Sequence, residues 1–283
     1  MSAAVDLSQW VGRSEERSDW INPNHVAALS ATLDRDDAFP QAGEAVAPGL
    51  HWTLFPPLAR QSELGPDGHA KKGGFLPPVT LPRRMWAGGR LQFHQPLKVG
   101  EKVARRSVIE RVEEKHGKSG HLVFVTVRHI LSAANGPAIE EEHDIVYREA
   151  PAADAPPPPP AEKAAAGPWC RQIVPDDVLL FRYSALTFNG HRIHYDRRYV
   201  TEVEGYAGLV VHGPLLATML LDLLRSELPA AKVTRFQFKA VRPTLDLHPF
   251  HLNAQPSADG KSVRLWAEDH EGWLTMQASA EID

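Results

Sequence analysis

The feature that most constrains the fold of this chain is a segment of alanine and proline near its middle. Eight alanines and six prolines fill 14 of the 18 positions in Ala150–Gly167, and Pro156–Pro160 form an unbroken run. Proline has no backbone N–H to donate, and a proline run prefers the extended polyproline conformation. The segment therefore predicts a stiff linker at 150–167 between two units, residues 1–149 and residues 168–283.

The two predicted units carry the same pattern of extended segments. Before the linker, apolar and β-branched residues separated by glycine turns predict four strands, at Leu91–Gln95, Val103–Val112, His121–Leu131 and Ile139–Tyr147. After it, they predict four more, at Val233–Val241, Phe250–Gln255, Ser262–Glu268 and Leu274–Ile282. The short echo of Arg90–Phe93 in Arg235–Phe238, at an offset of 145 residues, predicts that the chain is a duplication.

Each unit also has one helix candidate ahead of its strands. Asn24–Leu33 has apolar residues on one face and Asn22 or Asn24 as a candidate N-cap. Pro214–Arg225 is apolar around almost its whole circumference, which predicts a buried helix, and proline suits the first helical position. A buried helix wrapped by an antiparallel sheet, made twice, is an α+β fold.

Composition excludes several classes of function. The 31 Lys and Arg residues against 35 Asp and Glu residues give a formal charge of -4, so we expect no nucleic-acid partner. No apolar run approaches the roughly 18 residues that span a bilayer, and the N-terminus lacks a signal-peptide core. We therefore expect no membrane association and a cytoplasmic location. The single cysteine, Cys170, argues against a disulfide-dense secreted scaffold.

Most of the chemistry in the sequence lies in Phe181–Pro214, directly before the predicted buried helix. Three of the 14 histidines, His191, His194 and His212, fall within 22 residues there. The unpaired N–H groups at a helix N-terminus carry partial positive charge, which suits a developing oxyanion. We therefore expect this segment to form a functional site rather than a solvated polar loop.

The run Asn189–Asp196, NGHRIHYD, followed by Val211-His212-Gly213, resembles the motif of the MaoC-type (R-hydratase-like) hotdog enoyl-thioester hydratases. That motif is D-x-N-P-I/L-H-x-D, with H-G opening the hotdog helix. The amino-acid sequences of Ser184–Asp196 and Leu81–Gly89 are similar to those of one subgroup of this family. That subgroup contains the hydroxyacyl-thioester dehydratases type 2 and the mesaconyl-C4-CoA and itaconyl-CoA hydratases.

The resemblance covers nearly the whole chain and implies an α+β double hotdog, in which each of two hotdog units has a central helix wrapped by an antiparallel β-sheet. The units would pack as an intramolecular pseudo-dimer, and further homodimerisation is expected. The first unit would form a substrate-binding shell, and the second would carry the catalytic segment.

The resemblance also implies an activity. This is the reversible hydration of an α,β-unsaturated acyl-CoA thioester without a metal or an organic cofactor. A branched C5-dicarboxylyl-CoA is the first choice of substrate: mesaconyl-C4-CoA or itaconyl-CoA, giving citramalyl-CoA. A 3-hydroxyacyl thioester of fatty-acid synthesis, on CoA or ACP, is the alternative.

Three residues take the catalytic roles. His194 matches the catalytic histidine of the motif, and Asn189 stands where the family has an aspartate. An imidazole exchanges a proton near neutral pH, whereas an amide does not titrate. His194 should therefore carry the acid–base work, shared with His191 or with a carboxylate still to be located. The backbone N–H of Gly213 is the candidate donor to the thioester carbonyl.

Seven further residues are expected to bind substrate: His191, Arg192, Tyr195, His212, Tyr183, Arg84 and Trp86. Arg192 suits a substrate carboxylate or a CoA phosphate, with a surface ion pair as the alternative. The tyrosines could line an acyl pocket or simply pack beside the helix. Arg84 and Trp86 are assigned to a lid or pocket wall by resemblance only. Asp196 is expected to orient a neighbour or cap a turn.

Two other classes of function stay open. His194 and Asp196 form an H-x-D pair that, with His251 and Arg264, could be a non-heme Fe(II) oxygenase site. That site belongs to a barrel of strands, whereas an apolar helix follows here. The departure at Asn189 also leaves room for a non-catalytic hotdog that only binds acyl thioesters.

Overall fold

The strands that the structure describes join one antiparallel sheet. The computed structural model describes residues 6–117, 120–150 and 162–283, and within them ten strands follow the order β1-β3-β4-β5-β2-β7-β10-β9-β8-β6. The first five are β1 (Ser14–Trp20), β2 (Arg83–Phe93), β3 (Lys102–Gly117), β4 (Gly120–Ala133) and β5 (Gly136–Arg148). The other five are β6 (Trp169–Ile173), β7 (Val233–Ala240), β8 (Phe250–Pro256), β9 (Ser262–Glu268) and β10 (Leu274–Ile282).

The strand order is a mirror image about the junction between β2 and β7. The two strands pair antiparallel, with Leu91 opposite Phe236 and Arg90 opposite Gln237. Leu91 and Phe236 are equivalent positions of the sequence repeat, so a two-fold axis relating the units passes between them. Gly88 permits this junction, because a Cβ there would lie 2.5 Å from the carbonyl oxygen of Phe238. The register supports the predicted duplication, and the architecture is the expected α+β double hotdog.

The helices are α1 (Pro23–Thr32), α2 (Asp177–Thr187), α3 (Arg197–Glu202) and α4 (Gly213–Glu227). The predicted buried helix is α4, which packs against β6, β8, β9 and β10 and buries all of Leu215–Leu224. None of the helices in the described part of the chain is long and apolar enough to cross a membrane. Sequence patterns did not predict β1, β6, α2 or α3.

The two units differ in the helix they contain. The first helix, α1, begins and ends one residue before the predicted span, and the Asn22 side chain caps it by accepting the Asn24 N–H at 2.9 Å. It buries only Leu29 and Thr32 and packs mainly on α2 and on a 3-10 turn, Leu50–Thr53. The inner face of the first unit's sheet is therefore free of a long helix, and a cavity lies there.

One apolar core runs through both units. It joins residues of α4 to inward-facing residues of both halves of the sheet, such as Val103 and Leu265. Most of the predicted linker, residues 151–161, lies outside the described residues, so the linker and the unit boundaries stay predictions. The end of the segment lies along the second unit, where the Glu162 carbonyl accepts the Leu274 N–H at 3.0 Å.

Candidate active site

We call residues 188–212, which connect α2 to α4, the histidine segment, because they contain His191, His194 and His212. Helix α2 ends at Thr187 and is followed by Phe188, which takes a left-handed conformation with φ 51°. The chain turns back there, so that Asn189 N–H donates to Ser184 O at 2.8 Å. The Asn189 side chain then accepts the His191 N–H at 3.0 Å. These two bonds fix the loop at the position where the family motif has its aspartate.

His194 is held as a neutral imidazole with a defined tautomer. It is buried, and its Nδ1 lies 2.6 Å from the carbonyl oxygen of Val210. A carbonyl oxygen only accepts hydrogen bonds, so Nδ1 carries the proton and Nε2 keeps its lone pair. Burial lowers the pKa of His194 to about 4, although the Val210 hydrogen bond opposes this shift. At neutral pH the group is therefore a proton acceptor at Nε2.

His212 supports His194 from behind. The two rings stack with centroids 3.7 Å apart, and His212 Nε2 lies 2.8 Å from the Ser184 hydroxyl oxygen. Burial lowers the pKa of His212 well below its usual value, so it is also neutral. His212 is wholly buried. The geometry thus favours a positioning role, while the predicted contact with substrate stays a prediction.

A loop of the first unit lies against the histidine segment. Asp67 and His69 form a hydrogen-bonded pair at 3.0 Å, and the His69 ring lies 4.0 Å from the ring of His191. Burial raises the pKa of Asp67, but the His69 hydrogen bond outweighs it, and the net pKa lies below the usual range. Burial lowers the pKa of His191 to about 2. Asp67 thus places an ionised carboxylate beside His69, whose ring contacts His191.

The contact between the two loops depends on a glycine. Gly68 has φ +88°, and a Cβ built on it would lie 1.8 Å from the carbonyl oxygen of Gly190. The Arg192 side chain adds a hydrogen bond from its Nη1 to Pro66 O at 3.0 Å, and its backbone N–H donates to Asp67 O at 2.9 Å. The first unit thereby holds the loop around Gly190 and Arg192 in place.

Three residues of the predicted site have partners within the chain. Arg192 donates to one Asp196 oxygen from Nε at 2.9 Å and from Nη2 at 2.7 Å, which matches the ion-pair alternative. Asp196 also caps α3 by accepting the Tyr199 N–H. Tyr195 is 46 % exposed, and its hydroxyl donates to Gly190 O. These contacts position the loop, and the substrate-binding roles of Arg192 and Tyr195 stay predictions.

A cavity of about 180 Å³ lies beside this loop, between the two units. Its second-unit wall is formed by Tyr183, Thr187, Asn189 and Pro214. Its first-unit wall is formed by His51, Trp52, Trp86, Arg105, His129, Leu131, Glu141 and His143. The cavity thus includes three predicted site residues, Asn189, Tyr183 and Trp86. His194, Arg84 and Gly213 are not among the described residues that line the cavity, although Gly213 is the neighbour of Pro214.

Gly213 begins α4 and leaves open space in front of it. As the first helical residue, it has an N–H without an intrahelical acceptor. A Cβ built there would meet nothing within 4 Å. The chain's own packing therefore does not require glycine at this position, and the space suits the close approach of a thioester carbonyl.

The polar residues of the first-unit wall were missed in the sequence. In β3 the neighbours Arg105 and Arg106 must point to opposite faces, and in β5 five ionisable residues, Glu140–Asp144, follow one another. A strand in a half-buried sheet cannot turn such a run wholly to solvent. The signal for an inward polar cluster was therefore present in the sequence.

The structure disfavours the iron-oxygenase alternative. Around His194 and Asp196, the described residues form a double hotdog rather than a barrel, and His251 lies on β8 beside Gln172. The groups in the described ranges with metal-ligand spacing are Asp67–His69–His191, within 4.8 Å of one another, and Glu114–His116–His121. Neither contains the predicted iron ligands. The first group could hold a divalent ion next to the catalytic loop.

Comparison with known proteins adds a family to this geometry. The sequence profile of the hydroxyacyl-thioester dehydratase type 2 family matches residues 49–246. The chain is 44 % identical over 281 residues to a mesaconyl-C(4)-CoA hydratase of Chloroflexus aurantiacus, covering 99 % of each chain. It is 29 % identical over 278 residues to the mitochondrial hydroxyacyl-thioester dehydratase type 2 of Schizosaccharomyces pombe, covering 89 % of this chain and 90 % of the other.

A solved structure shares the fold. A Mycobacterium tuberculosis protein described as having a double hotdog fold superposes with a TM-score of 0.60, at 16 % identity, covering 96 % of both chains. At this identity the similarity supports the fold alone. It confirms the double hotdog that the mirrored strand order indicates.

Proposed function

Since the chain belongs to the hydroxyacyl-thioester dehydratase type 2 family, a family of hydro-lyases, we propose that it adds water reversibly to a branched C5-dicarboxylyl-CoA with His194 as the acid–base residue. The acid–base role of His194 is inferred from the tautomer of its imidazole. The Val210 carbonyl holds the proton on Nδ1, which leaves Nε2 as an acceptor.

The proposed reaction uses His194, Asn189 and Gly213 in turn. Nε2 of His194 takes a proton from water, whose oxygen bonds to the β-carbon of the enoyl thioester. The π electrons move to the thioester oxygen, where the Gly213 N–H and the positive end of α4 stabilise the enolate. The enolate then collapses and takes the proton from the His194 imidazolium at the α-carbon. The net change is the addition of one water, and dehydration is the reverse.

Asn189 orients the water in this scheme. Its amide does not titrate, so it binds and positions rather than exchanges protons. Its carbonyl oxygen already accepts the His191 N–H, which fixes the orientation of the amide in the cavity wall. His212, stacked under His194, holds the imidazole in place.

The choice of acyl group rests on the relative with the higher identity. That protein is named a mesaconyl-C(4)-CoA hydratase, and the match extends over 99 % of both chains. Mesaconyl-C4-CoA is therefore first and itaconyl-CoA second. A 3-hydroxyacyl thioester on CoA or ACP is the alternative, favoured by the family description and the yeast relative. A homodimer and a cytoplasmic location stay predictions.

A substrate panel tests the proposal. Hydration of mesaconyl-C4-CoA and crotonyl-CoA is measured as loss of enoyl-thioester ultraviolet absorbance, and hydration of itaconyl-CoA as chromatographic formation of citramalyl-CoA. We expect the first to react with the highest kcat/KM. A chain that prefers crotonyl-CoA and longer straight-chain substrates would instead be the dehydratase. A chain that binds these thioesters but turns over none would be the non-catalytic hotdog.

A further inference from the structure

The first-unit wall of the cavity carries a cluster of ionisable side chains on one face of the sheet. His129 on β4 lies opposite Ser107 on β3 and opposite Glu141 on β5. Because cross-strand partners and alternate residues share a face, Arg105 and His143 point to the same side. Burying such a cluster is costly unless its members are paired. A buried charge in this cluster that has no partner in the chain is therefore a candidate to bind a charged group of the substrate.

Glu141 has a neighbouring N–H group or imidazole at each of its two carboxylate oxygens. It accepts a hydrogen bond from Trp52 Nε1 at 2.9 Å, and His51 Nε2 lies 3.3 Å from its other oxygen. Burial raises the pKa of Glu141, but the His51 contact and the nearby histidines outweigh it, and the pKa falls to about 2. This carboxylate is ionised and held on the wall by Trp52 and His51.

Arg105 lacks such a partner. Its nearest carboxylate oxygen within salt-bridge range is on Glu15, 4.0 Å from Nη2, and its Nε is buried without a hydrogen-bond acceptor among the described residues. The guanidinium carbon lies over the Phe55 ring, 4.5 Å from the ring centre. Burial lowers its pKa, so the surrounding carboxylates do not compensate the cation fully. Arg105 is thus an underpaired cation in a cavity wall.

The size and shape of the cavity suit a short acyl group. An apolar protein cavity of about 150 Å³ holds a benzene molecule, and this one measures about 180 Å³. Trp52 and Trp86 meet edge to face at 5.6 Å and give it an aromatic side. Asn189 and Pro214 line the cavity from the second unit, beside Gly213, and the polar cluster lines it from the first unit.

We propose that Arg105, assisted by His129 and His143, binds the free carboxylate of a dicarboxylyl thioester and selects it over a monocarboxylic acyl group. This proposal rests on the proposed function, because it assumes that the cavity receives the acyl chain. The planar guanidinium offers a carboxylate two parallel hydrogen bonds. In this arrangement the thioester lies at the Asn189 and Pro214 wall, next to Gly213, and the carboxylate lies at Arg105 on the opposing wall.

The test compares Arg105→Gln with Arg106→Gln. Arg106 is the matched control, because it is the next residue on β3, its side chain is 56 % exposed, and its guanidinium lies 3.8 Å from Glu16 on the outer face. With mesaconyl-C4-CoA, we expect Arg105→Gln to lower kcat/KM by about 10²- to 10³-fold. With crotonyl-CoA, which has no second carboxylate, kcat/KM should hardly change. Arg106→Gln should leave both unchanged.

A binding measurement covers the case in which Arg105→Gln does not fold. Succinyl-CoA and butyryl-CoA have the same chain length, lack the reactive double bond, and differ in the carboxylate. As competitive inhibitors of the unmodified enzyme, succinyl-CoA should bind at least about tenfold more tightly. Arg105→Lys, which keeps the charge but loses the two-pronged geometry, should weaken this preference.

The outcomes separate this inference from the proposed function. If the unmodified chain hydrates no enoyl thioester, the proposed function fails. If it hydrates mesaconyl-C4-CoA while Arg105→Gln loses activity equally on crotonyl-CoA, or succinyl-CoA binds no better than butyryl-CoA, only the carboxylate site is overturned. A loss confined to the dicarboxylyl substrate supports it.

Discussion

Replacing Gly68 by alanine should disturb catalysis more than stability. The new Cβ would lie 1.8 Å from the Gly190 carbonyl oxygen, whereas Cβ contacts under 3.0 Å essentially never occur, so the two loops must separate by more than 1 Å. Left-handed backbone costs a non-glycine residue about 1–2 kcal/mol. A misplacement of about 1 Å costs about 10²-fold in rate. We therefore expect kcat to fall about 100-fold while the fold persists.

Gly73→Ala is the matched control for this prediction. Gly73 lies in the same segment with φ +93°, but its Cβ would make an ordinary 3.5 Å contact with Pro78. It therefore carries the backbone strain without the clash. Hydration rates are followed by enoyl-thioester absorbance, and unfolding by circular dichroism. Gly68→Ala with an unchanged kcat, or an equal loss in Gly73→Ala, would refute the docking of this loop on the catalytic segment.

Three further predictions follow from the site. Gly213→Ala should change the free energy of unfolding by no more than about 0.5 kcal/mol, because its Cβ meets nothing within 4 Å. It should lower kcat/KM about tenfold or more, because the new methyl group occupies the space of the thioester. Unchanged kinetics would remove Gly213 from the site. Asn189→Asp should keep part of the activity and move the acid limb of the pH–rate profile to higher pH, because a nearby carboxylate raises the pKa of His194. A correctly folded but inactive variant would mean that the amide is required. The free energy of unfolding should fall as pH drops from about 6.5 towards 4, because burial lowers the pKa of His194 and His143 to about 4 and the unfolded chain binds the extra protons. Each histidine contributes up to about 1.4 kcal/mol per pH unit, and urea unfolding at pH 7 and pH 5 that gave equal values would contradict this.

Local patterns revealed much of the second unit. Pro214–Arg225 is apolar around almost its whole circumference, which predicted a buried helix because such a surface is stable only when it is shielded from water. The structure has this helix as α4, Gly213–Glu227. The histidine segment stands out because its residues are close in sequence and lead into that helix. All eight predicted strands overlap strands of the sheet, since alternation and turns are local signals. The predicted strand Leu91–Gln95 shares only its first three residues with β2, which begins at Arg83.

The missed parts of the site depend on contacts between distant segments. Asp67 and His69 lie in a loop over 100 residues before His191, and only the fold brings them together. Arg105 sits in a strand where a charged residue looks like the solvent-facing half of an alternation. Only the presence of a second arginine at the next position, Arg106, shows that one of the two side chains must face inward. The short first-unit helix, α1, has a weak apolar face, and nothing local shows that the inner face of this unit is left free for a cavity.

The kcat of His194→Gln on mesaconyl-C4-CoA tests the role of His194 most directly. Glutamine keeps a side-chain N–H for the Val210 carbonyl but cannot take up a proton. We expect kcat to fall about 10²- to 10⁴-fold with an unchanged circular dichroism spectrum, because general acid–base catalysis contributes that much. A folded His194→Gln enzyme that hydrates the substrate at the unmodified rate would contradict the assignment of His194 as the acid–base residue.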